Sequence, residues 1–222
     1  MQRQAPTERN DDMTSGATLS GPESEYAGKT RARILAAAEK RFRHYGFGKT
    51  TIVDIASDCA MSHANIYRFF RNKTELVDAI AAGWLAKSER VCRGVADRPQ
   101  PATDRLVDFV VELHRWKRRE HLRDTRTHEL LSLASFNGRP FVTSHLGLLA
   151  AILVEIIEDG NRRGEFAVDD PPTLARVIQT ATMKFCDPRL VAQYQDEPLE
   201  DQAREVMHAL IGGLPPARTR LG

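Results

Sequence analysis

The sequence predicts an all-α protein in which a small N-terminal domain of short helices precedes a larger helical domain. Two observations lead to this fold class. Apolar residues recur at three- to four-residue intervals along most of the chain, which is the period of an amphipathic helix, and few runs alternate as a strand would. Breaks rich in Asp, Gly and Pro, such as "EDGNRRGEFAVDDPP", separate the helical stretches.

Composition divides the 222 residues into four parts. Residues 1–28 contain little that is apolar and are predicted to be a disordered arm. A first domain at 29–78, a second at 79–213 and a tail at 214–222 follow. The first domain has ten basic and five acidic residues, although the net charge of the chain is only +2. Such a local excess is typical of a surface that meets phosphate groups.

The first domain begins with a predicted helix from Thr30 to Tyr45, and Gly46 is a helix-stop residue. Its inward positions are Ile34, Leu35, Ala38 and Phe42. Thr51 and Asp54 then have the spacing of a capping box, which predicts a short second helix. Its inward positions are Ile52, Ile55 and Ala56.

A third helix is predicted to begin after Ser62, and a fourth after Asn72, with Glu75 completing its cap. The apolar side of the fourth helix consists of Leu76, Ile80 and Trp84. Only a few residues around 59–61 separate the second helix from the third. Two short helices joined by so tight a turn have the helix-turn-helix arrangement, so the first domain is predicted to be a three-helix domain of this kind.

The stretch "SHANIYRFFRNKTEL", residues 62–76, is too charged for a core helix and too aromatic for a fully solvated one. One face, with Ile66 and one of Phe69 and Phe70, is expected to pack on the first two helices. The other face is expected to lie in a DNA groove. There Ser62, His63, Ala64 and Asn65 would reach base edges, and Tyr67, Arg68 and Lys73 would hold phosphates. The alternative is an amphipathic helix whose polar side is simply hydrated.

The run "TRARILAAAEKRFRHYGFGKTTIVDIASDCAMSHANIYRFFRNKTELVDAI" resembles the N-terminal domain of the TetR family, the tetracycline-repressor-like bacterial regulators. The matching motifs are "RILAAAEKRFRHYG", "TTIVDIA", "MSHANIYRFF" and "NKTEL". The resemblance implies phosphate contacts by Thr50 or Thr51, Tyr67 and Lys73. It also implies base reading by the first turn of the third helix, so that His63, Ala64 and Asn65 set this protein's own operator.

One position departs from the family pattern. Ala60 stands in the turn, where the family usually has glycine. An alanine with a positive φ costs about 1 kcal/mol relative to glycine, so the turn is expected to be strained or slightly remodelled.

The second domain keeps the helical pattern, and the resemblance there is one of architecture. Helices are predicted at 104–119, 125–136, 140–162, 172–186 and 197–212. The resemblance implies that this domain encloses an effector pocket and that its last two long helices pair with a second subunit. The apolar stripes in question are Leu174, Val177, Ile178 and Ala181, and Leu199, Ala203, Val206, Met207 and Leu210. A stripe is more often core than interface, but the resemblance favours the interface for the final helix.

Aromatic, histidine and methionine side chains suit the apolar site that a small-molecule effector needs, because rings supply contact area and histidines fix orientation. The resemblance places the pocket near residues 113–136. The candidate ligand-binding residues are therefore His114, Trp116, His128 and Phe136, with Met183 and Phe185 added from the helix at 172–186. Each could equally be ordinary core.

Enzyme signatures are weak. Neither Gly-Lys-Thr triplet has the upstream glycine of a phosphate-binding loop, and there is no GxSxG or HExxH. His114, His121 and His128 are evenly spaced at seven residues, which on one helix separates them by ~10.5 Å per step, too far to share a metal. A break near Asp124 would bring them closer, so a metal-responsive or catalytic protein built on these histidines stays an alternative. Cys59, Cys92 and Cys186 are expected to be apolar filler.

Together with these residues, the resemblance implies a homodimeric, ligand-responsive repressor that binds double-stranded DNA and leaves a palindromic operator when a small molecule binds. We expect no catalytic residues, cofactor or metal. A DNA-binding protein with no effector is a further alternative, and a solid core at 100–190 would distinguish it. No uninterrupted apolar run is long enough to span a bilayer and residues 1–28 do not resemble an export signal, so a cytoplasmic protein without a membrane partner is expected.

Overall fold

The computed structural model describes residues 22–125 and 139–216. All regular structure within these two ranges is helical. The helices are α1 (Pro22–Tyr45), α2 (Ile52–Asp58), α3 (His63–Tyr67), α4 (Lys73–Ala96), α5 (Ala102–Arg123), α6 (Pro140–Arg163), α7 (Pro171–Ala181), α8 (Met183–Cys186), α9 (Pro188–Gln193) and α10 (Leu199–Gly212).

The N-terminal domain packs α1, α2, α3 and the beginning of α4 around one apolar core. The buried members are Ile34, Ala38, Phe42, Ile55, Ala56, Cys59, Ile66, Phe70 and Leu76. Most of the predicted inward residues of the first four helices are thus confirmed, and Leu35, Ile52 and Ile80 pack against this core while partly buried. Of the two adjacent phenylalanines, Phe70 is fully buried and Phe69 is half-buried. Trp84 belongs to a different cluster, farther along α4.

Local capping explains where the short helices begin. The predicted capping box is present: the Thr51 hydroxyl accepts from the Asp54 amide at 3.2 Å, and the Asp54 carboxylate accepts from the Thr51 amide at 2.9 Å. Upstream, α1 stops at Tyr45 because Gly46 has a φ of +84°, which the other residue types rarely adopt.

The next two helices are also capped as predicted. The Ser62 hydroxyl accepts from the Asn65 amide at 3.3 Å. The Asn72 side chain accepts from the Glu75 amide at 2.8 Å. The Glu75 carboxylate, however, accepts from the Arg71 amide at 2.7 Å, so it supports the turn before the cap rather than the cap residue itself.

The first helix is longer than its apolar pattern predicted. It begins at Pro22 rather than Thr30, so residues 22–28 of the predicted disordered arm are helical, and residues 1–21 lie outside the described residues. Proline suits the first turn of a helix. A helical ion pair between Glu25 and Lys29, 2.6 Å apart, favours the extension without burying any apolar side chain, which is why periodicity did not reveal it.

In the second domain α5 lies centrally and packs against α4, α6 and α10. The apolar core includes Leu106, Phe109, Leu113, Leu153, Ile156 and Ile157. Where the start of α5 meets α6, Gly160 is required: a Cβ there would lie 2.2 Å from the Phe166 ring. The helices predicted at 104–119, 140–162 and 197–212 are confirmed within a few residues, and most of the one predicted at 125–136 lies outside the described residues.

The prediction of a single helix at 172–186 is wrong. The segment is broken at Thr182 into α7 and α8, and a further helix, α9, follows. The Thr182 hydroxyl donates to the Ile178 carbonyl at 2.7 Å and loosens the regular turn. Pro188 cannot continue α8 but suits the first turn of α9, which Asp187 caps by accepting from the Arg189 amide at 2.8 Å.

Much of the stripe expected at the dimer interface is core of the subunit. Ile178, Leu199, Ala203 and Met207 are buried within one chain. They face α5 and its neighbours because α10 packs on α5. Val177, by contrast, is 44% exposed.

The helix α6 is long and apolar enough to cross a membrane by length and composition. Sequence inspection missed this because a charged residue interrupts the apolar run. Its residues Ile152, Leu153, Ile156 and Ile157 are buried in the domain core. The same composition is found in core helices of soluble proteins, so α6 is weak support for a membrane span.

Candidate DNA-binding surface and effector cavity

The exposed side of α3 carries the residues predicted to read DNA. Ser62, His63, Ala64, Tyr67 and Arg68 are exposed and Asn65 is half-buried, while Ile66 on the opposite side is fully buried. The rings of His63 and Tyr67, one helical turn apart, meet edge to face with centroids 5.7 Å apart. These residues therefore form one continuous solvent-facing surface, which we call the recognition surface.

Thr50 requires a correction. Its side chain is only 1% exposed, and its hydroxyl donates to the Gly46 carbonyl at 2.9 Å, so the side chain holds the loop after α1 and is not available at the surface for a phosphate contact. Thr51 is exposed, but its hydroxyl lies 2.7 Å from the Asp54 carboxylate that completes the cap. Lys49 is exposed beside it and was not among the predicted contacts.

Lys73 has a structural role besides the predicted phosphate contact. Its Nζ donates to the carbonyls of Phe47 at 2.7 Å and Thr50 at 2.9 Å, and it lies 4.1 Å from the Phe47 ring centroid. The first residue of α4 is therefore tied to the loop between α1 and α2. Replacing Lys73 would disturb this junction as well as remove a charge.

The turn before α3 has the strained backbone that an alanine in place of the usual glycine was expected to cause. Ala60 has a φ of +48°, in the left-handed region. Around it, Arg41 on α1 forms two hydrogen bonds to the Asp58 carboxylate, at 2.6 and 2.8 Å. The turn is thus anchored to α1 at the cost of a strained alanine.

A cavity of about 470 Å³ lies inside the second domain, between α5, α6 and the segment from α7 to α9. Apolar side chains make up most of its wall, among them Leu85, Phe109, Val110, Leu113, Leu149, Leu153 and Ile178. Its volume is in the usual range for small-molecule sites. Two buried polar side chains, Lys117 and His145, also line it.

Lys117 is 4% exposed, and its ammonium donates a hydrogen bond to the Cys186 carbonyl. Burial lowers the pKa of Lys117 because the surrounding apolar groups disfavour its charged form.

His145 is also 4% exposed. Its Nδ1 lies 2.7 Å from the Glu89 carboxylate of α4, while its Nε2 is buried with no hydrogen-bond partner among the described residues. Burial lowers the pKa of His145, and the hydrogen bond to Glu89 opposes part of that change. A polar atom left unpaired in an apolar cavity is costly unless something binds to it.

Comparison with known proteins agrees with this architecture. Residues 34–80 match the family described as bacterial regulatory proteins, tetR family. Residues 102–207 match the tetracyclin repressor-like C-terminal domain. Together the two matches cover both domains. The chain belongs to the tetR family.

One relative matches a short part of the chain at high identity. The transcriptional regulator TtgR of Pseudomonas putida is 45% identical over 56 residues, which are 25% of this chain and 27% of that protein. The match therefore spans about a quarter of that relative's length.

Solved structures show the same fold over most of the chain. Thermus thermophilus FadR in complex with lauroyl-CoA has a TM-score of 0.61 and 19% identity, and the match covers 86% of this chain and 99% of that one. The SmeT–triclosan complex has a TM-score of 0.59 and 17% identity, with 87% and 94% covered.

The predicted ligand-binding residues of this tetR-family chain are only partly brought together. Met183 lines the cavity. Phe185 does not line it and is buried in the domain core, with its carbonyl 3.0 Å from Nδ1 of His114. His114 lines a separate depression whose other residues are mostly charged, such as Arg115 and Glu200.

The prediction that Trp116 lines the cavity is wrong. Its ring packs instead on Trp84 of α4, with ring centroids 4.6 Å apart. His128 and Phe136 lie outside the described residues. The described ranges contain no group of three or more side chains that could hold a metal ion. Because His128 is outside them, the three-histidine alternative is not tested.

Sequence reasoning missed Lys117 and His145, although a signal was available. Lys117 follows Leu113 by four residues on the buried stripe of α5, and His145 precedes Leu149 by four on that of α6. A charged residue on the apolar side of a helix lowers stability unless it is paired. Such a residue is therefore a candidate for a functional role.

Several contacts join the cavity to the recognition surface through α4. Near its start α4 places Leu76 in the same apolar core as Ile66 of α3, and farther along it places Leu85 in the cavity wall and Glu89 against His145. A second junction is the ion pair between Arg43 at the end of α1 and Asp124 at the end of α5, 2.6 Å apart.

Proposed function

We propose that this chain is a ligand-responsive, DNA-binding transcriptional regulator rather than an enzyme. It acts as a cytoplasmic repressor that is released from a palindromic operator when a small molecule occupies the cavity. The observation that carries the proposal is the position of α4, a single helix that shares an apolar core with the recognition helix α3 at one end and forms part of the cavity wall farther along. A ligand that moves the cavity wall therefore moves the recognition helix.

Two structural relatives support a small-molecule effector. FadR of Thermus thermophilus was solved in complex with lauroyl-CoA and SmeT in complex with triclosan, so two proteins of this fold bind small organic molecules. The cavity of this chain also disfavours the reading of a DNA-binding protein with no effector, which called for a solid core. The metal-responsive alternative has no comparable support in the described residues, and metal analysis of the purified protein separates it from an organic-ligand sensor.

The proposal includes a homodimer, since a palindromic operator requires two recognition helices about 34 Å apart. Partly exposed apolar side chains on α7 and α10, such as Val177, Val206 and Leu210, are the candidates for the interface. Light scattering on the purified protein measures the oligomeric state directly.

DNA selection from a random pool, with wild type and variants, tests the function. We expect His63→Ala and Asn65→Ala to change which bases are preferred, at ~1 to 3 kcal/mol for each good contact. Arg68→Gln should instead weaken all sequences about equally and lower the salt slope by about one unit. Arg68 is a cleaner test of phosphate binding than Lys73, whose ammonium is bonded to the loop carbonyls. An unchanged base preference in both the His63 and Asn65 variants would remove them from the reading surface.

A further inference from the structure

The polar groups of the cavity restrict which ligand it can accept. An ammonium group has three N–H donors, and within the described residues one hydrogen bond from Lys117 is present, to the Cys186 carbonyl. Nε2 of His145 has no partner there. Both side chains are more than nine-tenths buried in the same wall, so the cavity offers unused hydrogen-bonding capacity among apolar neighbours.

The hydrogen bond to Glu89 determines what His145 can do. Because Nδ1 faces a carboxylate at 2.7 Å, it carries the proton of the neutral ring, and Nε2 is then an acceptor. If the ring is protonated, Nε2 becomes a donor. An acidic hydroxyl suits both states, since it either donates to Nε2 or transfers its proton to Nε2 and becomes an anion. An ester or ether offers only acceptors and cannot pair with the neutral ring.

The charges around the cavity also favour an acid. Besides Lys117, the wall contains Arg176 and Arg189. The carboxylate of Asp187 in the same wall is bonded to Arg189 at 2.7 Å, and that of Glu89 is held by His145. A single negative charge on the ligand therefore improves the local charge balance.

We propose that the cavity binds an apolar molecule with one acidic hydroxyl, a carboxylic acid or a phenol, whose oxygen accepts from Lys117 Nζ and shares its proton with His145 Nε2. This inference rests on the proposed function only in taking the cavity as the effector site. It also assigns His145 a second role. Its other nitrogen contacts Glu89 on α4, so the bound acid is linked by one side chain to the helix that supports the recognition surface.

The test compares matched ligand pairs on the full-length protein. Decanoic acid is titrated against methyl decanoate, and 4-hexylphenol against 4-hexylanisole, by isothermal calorimetry. The two members of a pair share the apolar body and differ in the acidic hydroxyl. We expect each acidic member to bind about tenfold more tightly or better, as hydrogen bonds to charged groups imply. Whether the carboxylic acid or the phenol shows the larger ratio identifies the class.

Variants of the two polar groups assign the effect to this site. Lys117→Met and His145→Phe should each reduce the acid-to-ester ratio severalfold, and the double variant should bring it close to one. Their affinity for methyl decanoate should stay near that of wild type, which shows that the cavity is intact. Arg176→Gln, at an exposed position of the same wall, should reduce the ratio much less, because solvent screens that charge.

Three results would overturn the inference. These are equal affinity of acid and ester for wild type, no binding of any of the four compounds, and a preference that survives in the Lys117 and His145 variants but disappears in Arg176→Gln. The third would place the acidic group at Arg176. If decanoic acid binds as expected but does not weaken DNA binding, the ligand class stands and the proposed effector function fails.

Discussion

The two domains fill their interiors differently. In the N-terminal domain the buried side chains form an apolar cluster around Ile34, Phe42 and Phe70, with Thr30 and Thr50 as buried polar residues. The second domain also has a large apolar core, but it buries charged or titratable residues as well. These are Arg105, His114, Lys117, His121 and His145.

This difference reflects what each domain has to do. A support for a recognition helix needs a rigid arrangement, and close apolar packing around local caps provides it. A domain that responds to a ligand needs polar groups in its interior, and each of them lowers stability unless it is paired. Arg105 is paired with Asp159, whereas Nε2 of His145 has no hydrogen-bond partner among the described residues. The following predictions test this contrast.

The largest expected effect is in the N-terminal core. Phe70→Ala should lower the free energy of unfolding by about 3 to 5 kcal/mol, because it removes a fully buried ring and leaves a cavity. Urea unfolding measures the change. Phe69→Ala is the matched control and should cost less, since Phe69 is only half-buried. Lys117→Met should by contrast leave stability unchanged or raise it, and a loss as large as that of Phe70→Ala would contradict the contrast between the domains.

An intermediate effect is expected from pH. Burial is the main reason why the pKa values of both His114 and His145 are lowered, so the folded protein protonates these rings at a lower pH than the unfolded chain does. The unfolded chain takes up protons near pH 6.5, so stability is complete above that pH and is lost as the pH falls below it. The slope is at most about 1.4 kcal/mol per pH unit for each histidine.

Urea unfolding between pH 7 and pH 5 measures this slope for wild type and variants. The carboxylates whose pKa is lowered act only at lower pH, so this interval isolates the histidines. His145→Phe should flatten the dependence, and His208→Gln, on an exposed position of α10, should not. Equal slopes for wild type and His145→Phe would mean that His145 is not held neutral by the fold.

The smallest effect concerns the turn before α3. Ala60→Gly should stabilise the protein by up to about 1 kcal/mol, because glycine accepts a φ of +48° without strain. Ala32→Gly, at an exposed position within α1, should destabilise by roughly 0.5 to 1 kcal/mol. A destabilised Ala60→Gly protein would show that the turn is not strained in solution.

What the sequence could predict follows the same division. The caps at Thr51, Ser62 and Asn72 and the inward positions around Phe42 depend on neighbours within a few residues, and local patterns therefore predicted them. The cavity depends on contacts between α4, α5 and α6 that lie far apart in the chain. Aromatic residues in the sequence were therefore a poor predictor of the cavity wall, and Trp116 packs on Trp84 instead.

The central claim is that occupation of the cavity and binding of DNA are linked through α4. The most direct test begins with a thermal-shift screen of apolar and amphipathic molecules. Operator affinity is then titrated in the presence of each compound that stabilises the protein. We predict that saturating ligand weakens operator affinity by about 5- to 150-fold, and that operator DNA weakens ligand affinity by the same factor. If every stabilising compound leaves operator affinity unchanged, the cavity is only filled and the linkage is wrong.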